Sequence, residues 1–338
     1  MVSLAEVPLS WRIENALVSY GLYLWKTFWP VSLAAFYPPA LLSLGNVALV
    51  TGVLIAISVW AVAQRKQRPY LLAGWLWYLG TLVPVIGLVQ VGSQSMADRY
   101  AYIPLIGIFV IVAWLAAEAG AAWNIAPGKR AIIAGSWVVG LALVTWQQIG
   151  YWRSPVDLWM HAISVTGDNV IAENNLGIAF SELGRDDEAS QHFRNAIRIK
   201  YSLAEAHINL GALLQKRGEL PEAIQEYQAV LATSSDREDL RMANHNLGTA
   251  YRELGDLQTA REYYKKVLEI DPADANAMAA LGRVELLAGA ERLSNELARH
   301  PSAEGYQQLG ELLEQAGKLE LAEDAYEKER ALRSRGKP

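Results

Sequence analysis

The chain has 338 residues, of which 52% are apolar and 19% charged, with 12 Trp, no Cys and a net charge of −5. The absence of Cys excludes disulfides, thiolate nucleophiles and zinc sites that need sulfur. The acidic balance argues against nucleic acid as a partner, because phosphate binding needs clustered Lys and Arg. Residues 1–152 contain 8 basic and 4 acidic residues, whereas residues 153–338 contain 22 basic and 31 acidic residues. The composition therefore predicts a membrane part followed by a water-exposed part.

The N-terminal part contains four long apolar segments. Three of them carry no charged residue: 27–64, 69–97 and 131–152. The fourth runs from Tyr100 to Ala117 and leads to Glu118. About 20 apolar residues are enough for a helix to cross a bilayer. The predicted spanning helices cover about 41–63, 70–91, 102–122 and 131–151.

The orientation of these helices follows from the basic residues in their connections. Those residues are Arg65, Lys66 and Arg68 in the first connection, and Lys129 and Arg130 in the third. Lys and Arg in short loops stay on the cytoplasmic side of a membrane. We therefore expect the connection around Asp98, residues 1–40 and everything after Trp152 to be extracytoplasmic.

Residues 1–40 contain an apolar stretch, 16–36, that is interrupted by Lys26 and Pro30. We predict an interfacial or re-entrant helix on the outer face, with a fifth spanning helix as the alternative. Three aromatic residues would anchor it: Trp25, Phe28 and Trp29. The start of the chain lacks the basic region and short apolar core of a secretory signal.

The C-terminal part repeats a pattern that begins with Leu-Gly. The pairs are Leu176-Gly177, Leu210-Gly211, Leu247-Gly248, Leu281-Gly282 and Leu309-Gly310, at spacings of 34, 37, 34 and 28 residues. A second Gly follows each pair, and Ala and an aromatic residue then follow at fixed distances in every repeat except the fourth. This pattern resembles the tetratricopeptide repeat. Its small residues let two helices approach closely, its second Gly turns the chain, and its aromatic residue fills the seam.

We therefore predict an all-α fold in which transmembrane helices are followed by a linker, 153–169, and a tetratricopeptide solenoid. Its five repeats are expected at about 170–203, 204–240, 241–274, 275–302 and 303–336. The fourth repeat is degenerate, since it is about five residues short between Gly289 and Pro301. We expect Gly289 to turn the chain between the two helices of this repeat.

The common catalytic and metal-binding motifs are absent from the sequence. There is no phosphate loop, no G-x-G-x-x-G, no H-E-x-x-H and no nucleophile elbow. The His residues do not share metal-ligand spacing, so we predict no metal site and expect them on the surface or lining a groove. They are His161, His192, His207, His245 and His300.

The segment Asp98-Arg99-Tyr100 places two charged residues at the outer end of a predicted spanning helix. Ionisable side chains are costly at that depth unless they are paired or used. One interpretation is a structural ion pair between Asp98 and Arg99 that orients the loop. The other is a donor-phosphate site formed by Arg99, Asp98 and Tyr100, because a guanidinium matches phosphate with paired donors.

Three parts of the sequence resemble the C-terminal part of the transmembrane and tetratricopeptide repeat O-mannosyltransferases and their bacterial relatives, which belong to the GT-C glycosyltransferases. They are Gln90-Val91-Gly92 with Met96-Ala97-Asp98-Arg99-Tyr100-Ala101-Tyr102-Ile103-Pro104, Arg12 and Asn15-Ala16-Leu17 with Phe28-Trp29-Pro30 and Tyr37-Pro38, and Tyr151-Trp152 through His161-Ala162. The resemblance covers nearly the whole chain. It implies transfer of a sugar from a polyprenyl-phosphate carrier to extracytoplasmic protein, with no tightly bound cofactor. It also favours the bacterial plasma membrane over the endoplasmic reticulum.

This class carries an acidic catalytic motif in its first outer loop, and Glu6 and Glu14 do not match that motif. The catalytic residue therefore stays unassigned. We expect this chain to be the C-terminal portion of an enzyme whose other membrane half is encoded upstream.

One polar residue recurs in the repeats. The residue before the Leu-Gly pair is Asn in the first three of them: Asn175, Asn209 and Asn246. An amide both donates and accepts, so a row of Asn can pair with the backbone of an extended peptide. The row resembles the asparagine ladder of the tetratricopeptide-containing O-linked N-acetylglucosamine transferases, which implies an acceptor-peptide groove. The alternative is that each Asn bonds its own helix.

Two functions remain open at this point. The first is part of a membrane glycosyltransferase whose repeats bind the protein acceptor. The second is a non-catalytic, membrane-anchored scaffold whose repeats recruit partner proteins. Composition favours the scaffold, and the family resemblance favours the enzyme.

Overall fold

The computed structural model describes residues 8–38, 43–88 and 96–335, and these contain fifteen α-helices and one short 3-10 helix. The fold is all-α, as predicted, and it divides into two compact units, Met1–Gly184 and Arg185–Pro338. The helices of the first unit are α1 (Leu9–Phe28), α2 (Leu44–Ala63), α3 (Pro69–Leu82), α4 (Tyr102–Ala122), α5 (Pro127–Gly150), α6 (Pro155–Thr166) and α7 (Val170–Glu182). Those of the second unit are α8 (Asp186–Ile199), α9 (Ala204–Lys216), α10 (Leu220–Thr233), α11 (Arg237–Leu254), α12 (Leu257–Ile270), α13 (Ala275–Leu297), α14 (Ala303–Gln315) and α15 (Leu319–Arg335).

Three helical segments of the described chain are long and apolar enough to cross a membrane. They are Leu44–Ala63, Asp98–Ala122 and Pro127–Gly150. The helix predicted over 70–91 differs, because α3 has 14 residues and would measure about 21 Å against a hydrocarbon core of about 30 Å. It ends before Pro84, which has no amide hydrogen to continue the helix, and Gly87 then takes a φ of 92°. Residues 89–91 lie outside the described residues.

Helices α3 and α4 pack together through two glycines. A Cβ built on Gly74 would lie 2.5 Å from the carbonyl oxygen of Gly107, and a Cβ on Gly107 would clash with the carbonyl oxygen of Gly74. The two backbones therefore touch directly, as small residues allow between membrane helices. Any larger side chain at either position would separate the helices.

Polar contacts at the two ends of this pair show that the helices are antiparallel. At one end, Arg68 pairs with Glu118 at 2.7 Å, and the Tyr70 hydroxyl donates to the same carboxylate at 2.7 Å. At the other end, the Trp77 indole nitrogen donates to the carbonyl of Ile103 at 2.9 Å. The basic connection after α2 therefore lies at the opposite end of α4 from Asp98.

The N-terminal segment forms one continuous helix, α1, which includes Lys26. The helix ends just before Trp29-Pro30, because proline disfavours helical geometry in the residue before it. Helix α1 packs against α2. The Tyr20 hydroxyl donates to the carbonyl of Leu79 at 2.7 Å, and the Tyr78 hydroxyl donates to the carbonyl of Tyr20 at 2.6 Å. The predicted anchors are well exposed: Trp25, Phe28 and Trp29.

The second unit contains three helical hairpins, α9–α10, α11–α12 and α14–α15. Their helices are connected through Gly218, Gly255 and Gly317, which have φ values of 79°, 89° and 75°. A Cβ built on Gly248 would lie 2.8 Å from Cε1 of Tyr264. The glycine and the aromatic residue of the repeat pattern are therefore in direct contact between the two helices of one hairpin.

The fourth repeat does not form the predicted pair of helices. Helix α13 is a single helix, Ala275–Leu297, that runs straight through Gly289. The prediction that Gly289 turns the chain is wrong for a physical reason. Ser294 and Ala298 take the positions of the repeat Ala and aromatic residue. No bulky side chain is therefore available to pack a second helix against Gly282, and a Cβ built on Gly282 meets nothing within 4 Å.

We expect Gly107→Ala to lower the free energy of unfolding by about 1–3 kcal/mol, because the added methyl group overpacks the contact with α3. Gly52→Ala in α2 is the matched control, since a Cβ there meets nothing within 4 Å. Thermal unfolding of the purified chain in detergent, followed by Trp fluorescence, measures both variants. Equal melting temperatures for the two variants would contradict the close approach.

Candidate functional site

The segment before α4 is held in place by the first helix of the chain. The Tyr23 hydroxyl donates to the carbonyl of Ala97 at 2.9 Å and accepts from the amide of Ala97 at 3.1 Å. Met96 forms an isolated antiparallel bridge with Tyr37. Asp98 then begins the 3-10 helix Asp98–Ala101 that leads into α4. The backbone of residues 96–98 is therefore fixed from two sides.

The carboxylate of Asp98 belongs to a chain of three polar side chains. The Tyr37 hydroxyl donates to Oδ2 of Asp98 at 2.7 Å, and Nζ of Lys26 donates to the Tyr37 oxygen at 2.5 Å. Lys26 also donates to the carbonyl of Ser32 at 3.0 Å. The chain runs Lys26–Tyr37–Asp98 and ties α1 and the segment after it to the start of α4.

This arrangement differs from an ion pair between Asp98 and Arg99. Arg99 is exposed and makes no ion pair with any residue that the structure describes. Its guanidinium carbon lies 5.3 Å from the centroid of the Tyr100 ring. The positive charge of Arg99 is therefore available to an anion from outside the protein.

A cavity of about 230 Å³ lies beside Asp98 and Arg99. Its wall is mostly apolar and includes Tyr102, Gln148 and Trp152. Tyr100, which we predicted as part of the phosphate site, is not among the residues that line the cavity, whereas Tyr102 is. The structure thus brings together Asp98 and Arg99 of the predicted site and adds residues from the end of α5.

Residues 33–35 form another wall of this cavity, and the segment 33–36 is held by the region after Trp152. The His161 Nε2 lies 2.9 Å from the carbonyl of Leu33 and therefore donates to it, and the ring stacks on Tyr151 at 3.6 Å. The buried Asn169 donates to the carbonyl of Phe36 at 3.1 Å. The predicted linker 153–169 is therefore an ordered part of the site, in which α6 contacts the N-terminal segment.

Sequence reasoning missed several of these contributors. Lys26 was visible as the only charged residue in the apolar stretch 16–36, and Tyr37 stood in a motif that carried the family resemblance. Their link to Asp98, however, joins residues 61 and 72 positions apart, and no local pattern encodes such a distance. Gln148 carried no sequence signal.

The three Asn residues of the repeats are all partly buried on the first helices of their repeats. Asn175 of α7, in the first unit, donates to the carbonyl of Ile171 at 2.7 Å and so bonds its own helix. In the second unit, Asn209 lies on α9 and Asn246 on α11, two helices that pack against each other. The side chain of Asn246 makes no hydrogen bond to another described residue.

One His is buried, against our expectation of surface or groove-lining positions. His207 is 1% exposed, and its Nδ1 lies 2.6 Å from a Glu226 carboxylate oxygen while its Nε2 lies 2.8 Å from the carbonyl of Tyr201. Both partners can only accept, so both ring nitrogens donate when the ring is protonated. Burial lowers the pKa of His207, but the bonds to Glu226 and Tyr201 outweigh it and raise the pKa above its usual value.

Comparison with known proteins identifies the repeats. Tetratricopeptide repeat models match residues 174–200, 202–273 and 303–328. The matched residues are therefore tetratricopeptide repeats. The segment between the last two matches contains α13, the helix that departs from the repeat.

The chain is similar to proteins of different kinds. Protein O-mannosyl-transferase Tmtc3 of Drosophila melanogaster is 28% identical over 156 residues, 45% of this chain and 16% of that protein. BBSome complex member BBS4 of Bos taurus is 26% identical over 135 residues, 40% of this chain and 25% of that protein. Among solved structures, YrrB, described as a TPR protein with an unusual peptide-binding site, is 18% identical with a TM-score of 0.35, over 52% of this chain and 91% of that one. This chain spans a quarter or less of the length of the first two relatives.

The raised pKa of His207 predicts a pH-dependent contribution to stability. A group whose pKa is higher in the folded state stabilises the fold below its unfolded pKa and loses that contribution as the pH rises through the folded value. We expect Glu226→Gln to lower the free energy of unfolding by about 1–2 kcal/mol at pH 5.5 and by much less at pH 8.5. Urea unfolding followed by circular dichroism at the two pH values measures the difference. A pH-independent effect of the substitution would contradict a protonated His207.

Proposed function

We propose that this chain is the C-terminal portion of a membrane glycosyltransferase that moves a sugar from a polyprenyl-phosphate carrier to extracytoplasmic protein. The observation that carries the proposal is Arg99. It is an exposed guanidinium with no ion pair among the described residues, and it stands at a mostly apolar cavity beside a helix long enough to span a membrane. The similarity to Tmtc3 supports the same activity.

The chemistry of Arg99 suits a lipid-linked phosphate. A guanidinium binds phosphate oxygens through paired donors and is more weakly hydrated than an ammonium group. The neighbouring carboxylate of Asp98 accepts a hydrogen bond from Tyr37 at 2.7 Å and makes no ion pair with Arg99. We propose that Arg99 contacts the carrier phosphate and that Asp98 is a positioning residue. The catalytic residue is unassigned, and we propose that an upstream-encoded membrane half supplies it.

We propose that the membrane is the bacterial plasma membrane and that the Asp98 end of the helices is extracytoplasmic. The basic connections support this orientation. Arg68 pairs with Glu118 at the end of α4 that is opposite Asp98, and α4 leads through Trp123 to the next basic pair, Lys129 and Arg130. Both basic connections therefore belong to one end of α4, as the cytoplasmic retention of Lys and Arg requires.

The repeats provide the binding surface for a protein partner, because stacked helical hairpins form an extended concave surface. We propose that the acceptor polypeptide lies along it and pairs with Asn209 and Asn246, which lie on the packed helices α9 and α11. In the first unit, the amide of Asn175 also bonds the carbonyl of Ile171.

A membrane-anchored scaffold is the second candidate function. The similarity to BBS4, which is named as a member of a complex, is nearly as high as the similarity to Tmtc3. A scaffold uses the same repeats but has no need for a free guanidinium at a membrane cavity. Activity that depends on Arg99 therefore separates the two functions.

For the enzyme, we expect Arg99→Ala to lower sugar transfer by about 100-fold. Arg99→Lys should retain part of the activity, because it keeps the charge but loses the paired donors. Arg65→Ala, which removes an exposed Arg from the opposite end of the membrane part, is the matched control and should be unaffected. The assay measures transfer of labelled sugar from a polyprenyl-phosphate donor in purified membranes that also contain the upstream gene product. Binding of a stable partner with no transfer in any combination would establish the scaffold instead.

For the groove, we expect the triple variant Asn175→Ala, Asn209→Ala and Asn246→Ala to weaken acceptor-peptide binding by about tenfold or more, since each lost hydrogen bond contributes about 1 kcal/mol. Gln308→Ala, at the same position of the fifth repeat, is the control. Fluorescence anisotropy measures affinity, and circular dichroism verifies that helix content is unchanged. Unchanged affinity of the triple variant would refute the role of the Asn residues.

A further inference from the structure

The irregular fourth repeat leaves a cleft in the second unit. In the neighbouring repeats, the second helices are α12 and α15, and the order of a regular solenoid places one helix between them. Helix α13 continues through Gly289 instead of turning back to supply that helix. A cavity of about 460 Å³ is lined by residues from the start of α12 and from α13, α14 and α15.

The floor and walls of this cleft are apolar. They include Leu257 of α12, Leu287 and Ala290 of α13, Leu313 of α14 and Leu321 of α15. Leu321 is 52% exposed. Several aliphatic side chains that share one open cleft indicate a binding surface more strongly than scattered exposed residues do. In a regular repeat array, a second helix would cover these apolar side chains.

The charges beside the cleft indicate what kind of helix it fits. Three charged residues line it, Glu291, Asp324 and Lys328, and none of them makes an ion pair with a residue in the described part of the chain. Two of the three are acidic, so the lining is negative overall. In the neighbouring stack, Arg261 of α12 pairs with Glu285 of α13 at 2.6 Å. A helix in the cleft can make the equivalent contact if it carries Lys or Arg beside its apolar face.

We propose that this cleft binds an amphipathic helix of a partner protein, with Ala and aromatic residues on its apolar face and Lys or Arg beside them, in the place of the absent second helix. This site is separate from the cavity at Arg99 and from the Asn residues of the concave surface. It gives the chain a helix-binding surface in addition to the peptide groove, whichever of the two proposed functions holds.

The chain itself offers two matched probes. The synthetic peptide of α12, Leu257–Ile270, carries three basic and two acidic residues, whereas that of α10, Leu220–Thr233, carries two acidic and no basic residues. Both are second helices of a repeat and share Ala and Tyr at equivalent positions, and their net charges differ by three. We expect the labelled α12 peptide to bind the full chain in lipid nanodiscs at least about tenfold more tightly than the α10 peptide.

Two neighbouring leucines of α15 provide the variant and its control. Leu321→Arg places a charge in the cleft and should weaken α12-peptide binding by about tenfold or more. Leu319→Arg changes a Leu that is 67% exposed and does not line the cleft, so it should bind as the wild type does. Both side chains are exposed, so the fold tolerates either change, and circular dichroism verifies this.

A charge reversal tests the site without touching its apolar floor. The double variant Glu291→Lys and Asp324→Lys should reverse the preference, so that the α10 peptide binds more tightly than the α12 peptide. The proposal is overturned if the α12 peptide shows no saturable binding, if Leu321→Arg binds it as the wild type does, or if the charge reversal leaves the preference unchanged. Failure of the sugar-transfer assay would leave these binding results intact, so the two proposals fail independently.

Discussion

Asp98 accepts a hydrogen bond from the Tyr37 hydroxyl, and the Tyr37 oxygen in turn accepts one from Lys26. A carboxylate at the end of a membrane helix is costly unless it is bonded, and these two residues satisfy it. The same contacts fix the segment after α1 against the start of α4. This bond therefore positions the carboxylate of Asp98 in the wall of the cavity that Arg99 also lines.

A second constraint is the antiparallel packing of α3 and α4. Direct backbone contact between Gly74 and Gly107 holds the two helices together. The pair Arg68–Glu118 then lies at one end and Asp98 at the other. The packing therefore separates the basic connection before α3 from Asp98.

The sequence predicts those features that recur at a fixed period or fill a long uninterrupted segment. The Leu-Gly pairs locate the hairpins, and uncharged segments locate α2, α4 and α5. The length of α3 was not predictable from hydropathy alone, since Pro84 and Gly87 end the helix inside an apolar segment. The short spacing of the fourth repeat predicts that part of this repeat is missing. It does not predict that the turn is lost and that α13 is continuous, because that outcome depends on whether an aromatic side chain is present to pack a second helix against the first.

The candidate site shows the same limit. Asp98 and Arg99 stand out in the sequence as charged residues beside apolar segments. Tyr37, which donates to Asp98, and Lys26, which donates to Tyr37, lie far from Asp98 in the sequence. Only the tertiary fold makes Tyr37, and not the adjacent Arg99, the bonded partner of Asp98. Similarly, the burial of His207 depends on Glu226 from another helix, which no spacing rule encodes.

The most direct test of the central claim is the affinity of the Tyr37→Phe variant for polyprenyl phosphate. Phenylalanine keeps the ring but removes the hydroxyl that donates to Oδ2 of Asp98. We therefore expect the carboxylate to pair with Arg99 in this variant. In lipid nanodiscs, measured by titration with undecaprenyl phosphate, we expect Tyr37→Phe to bind about tenfold more weakly than the wild type, and the double variant Tyr37→Phe, Asp98→Asn to regain most of the affinity. Equal affinity of the wild type and Tyr37→Phe would contradict the account.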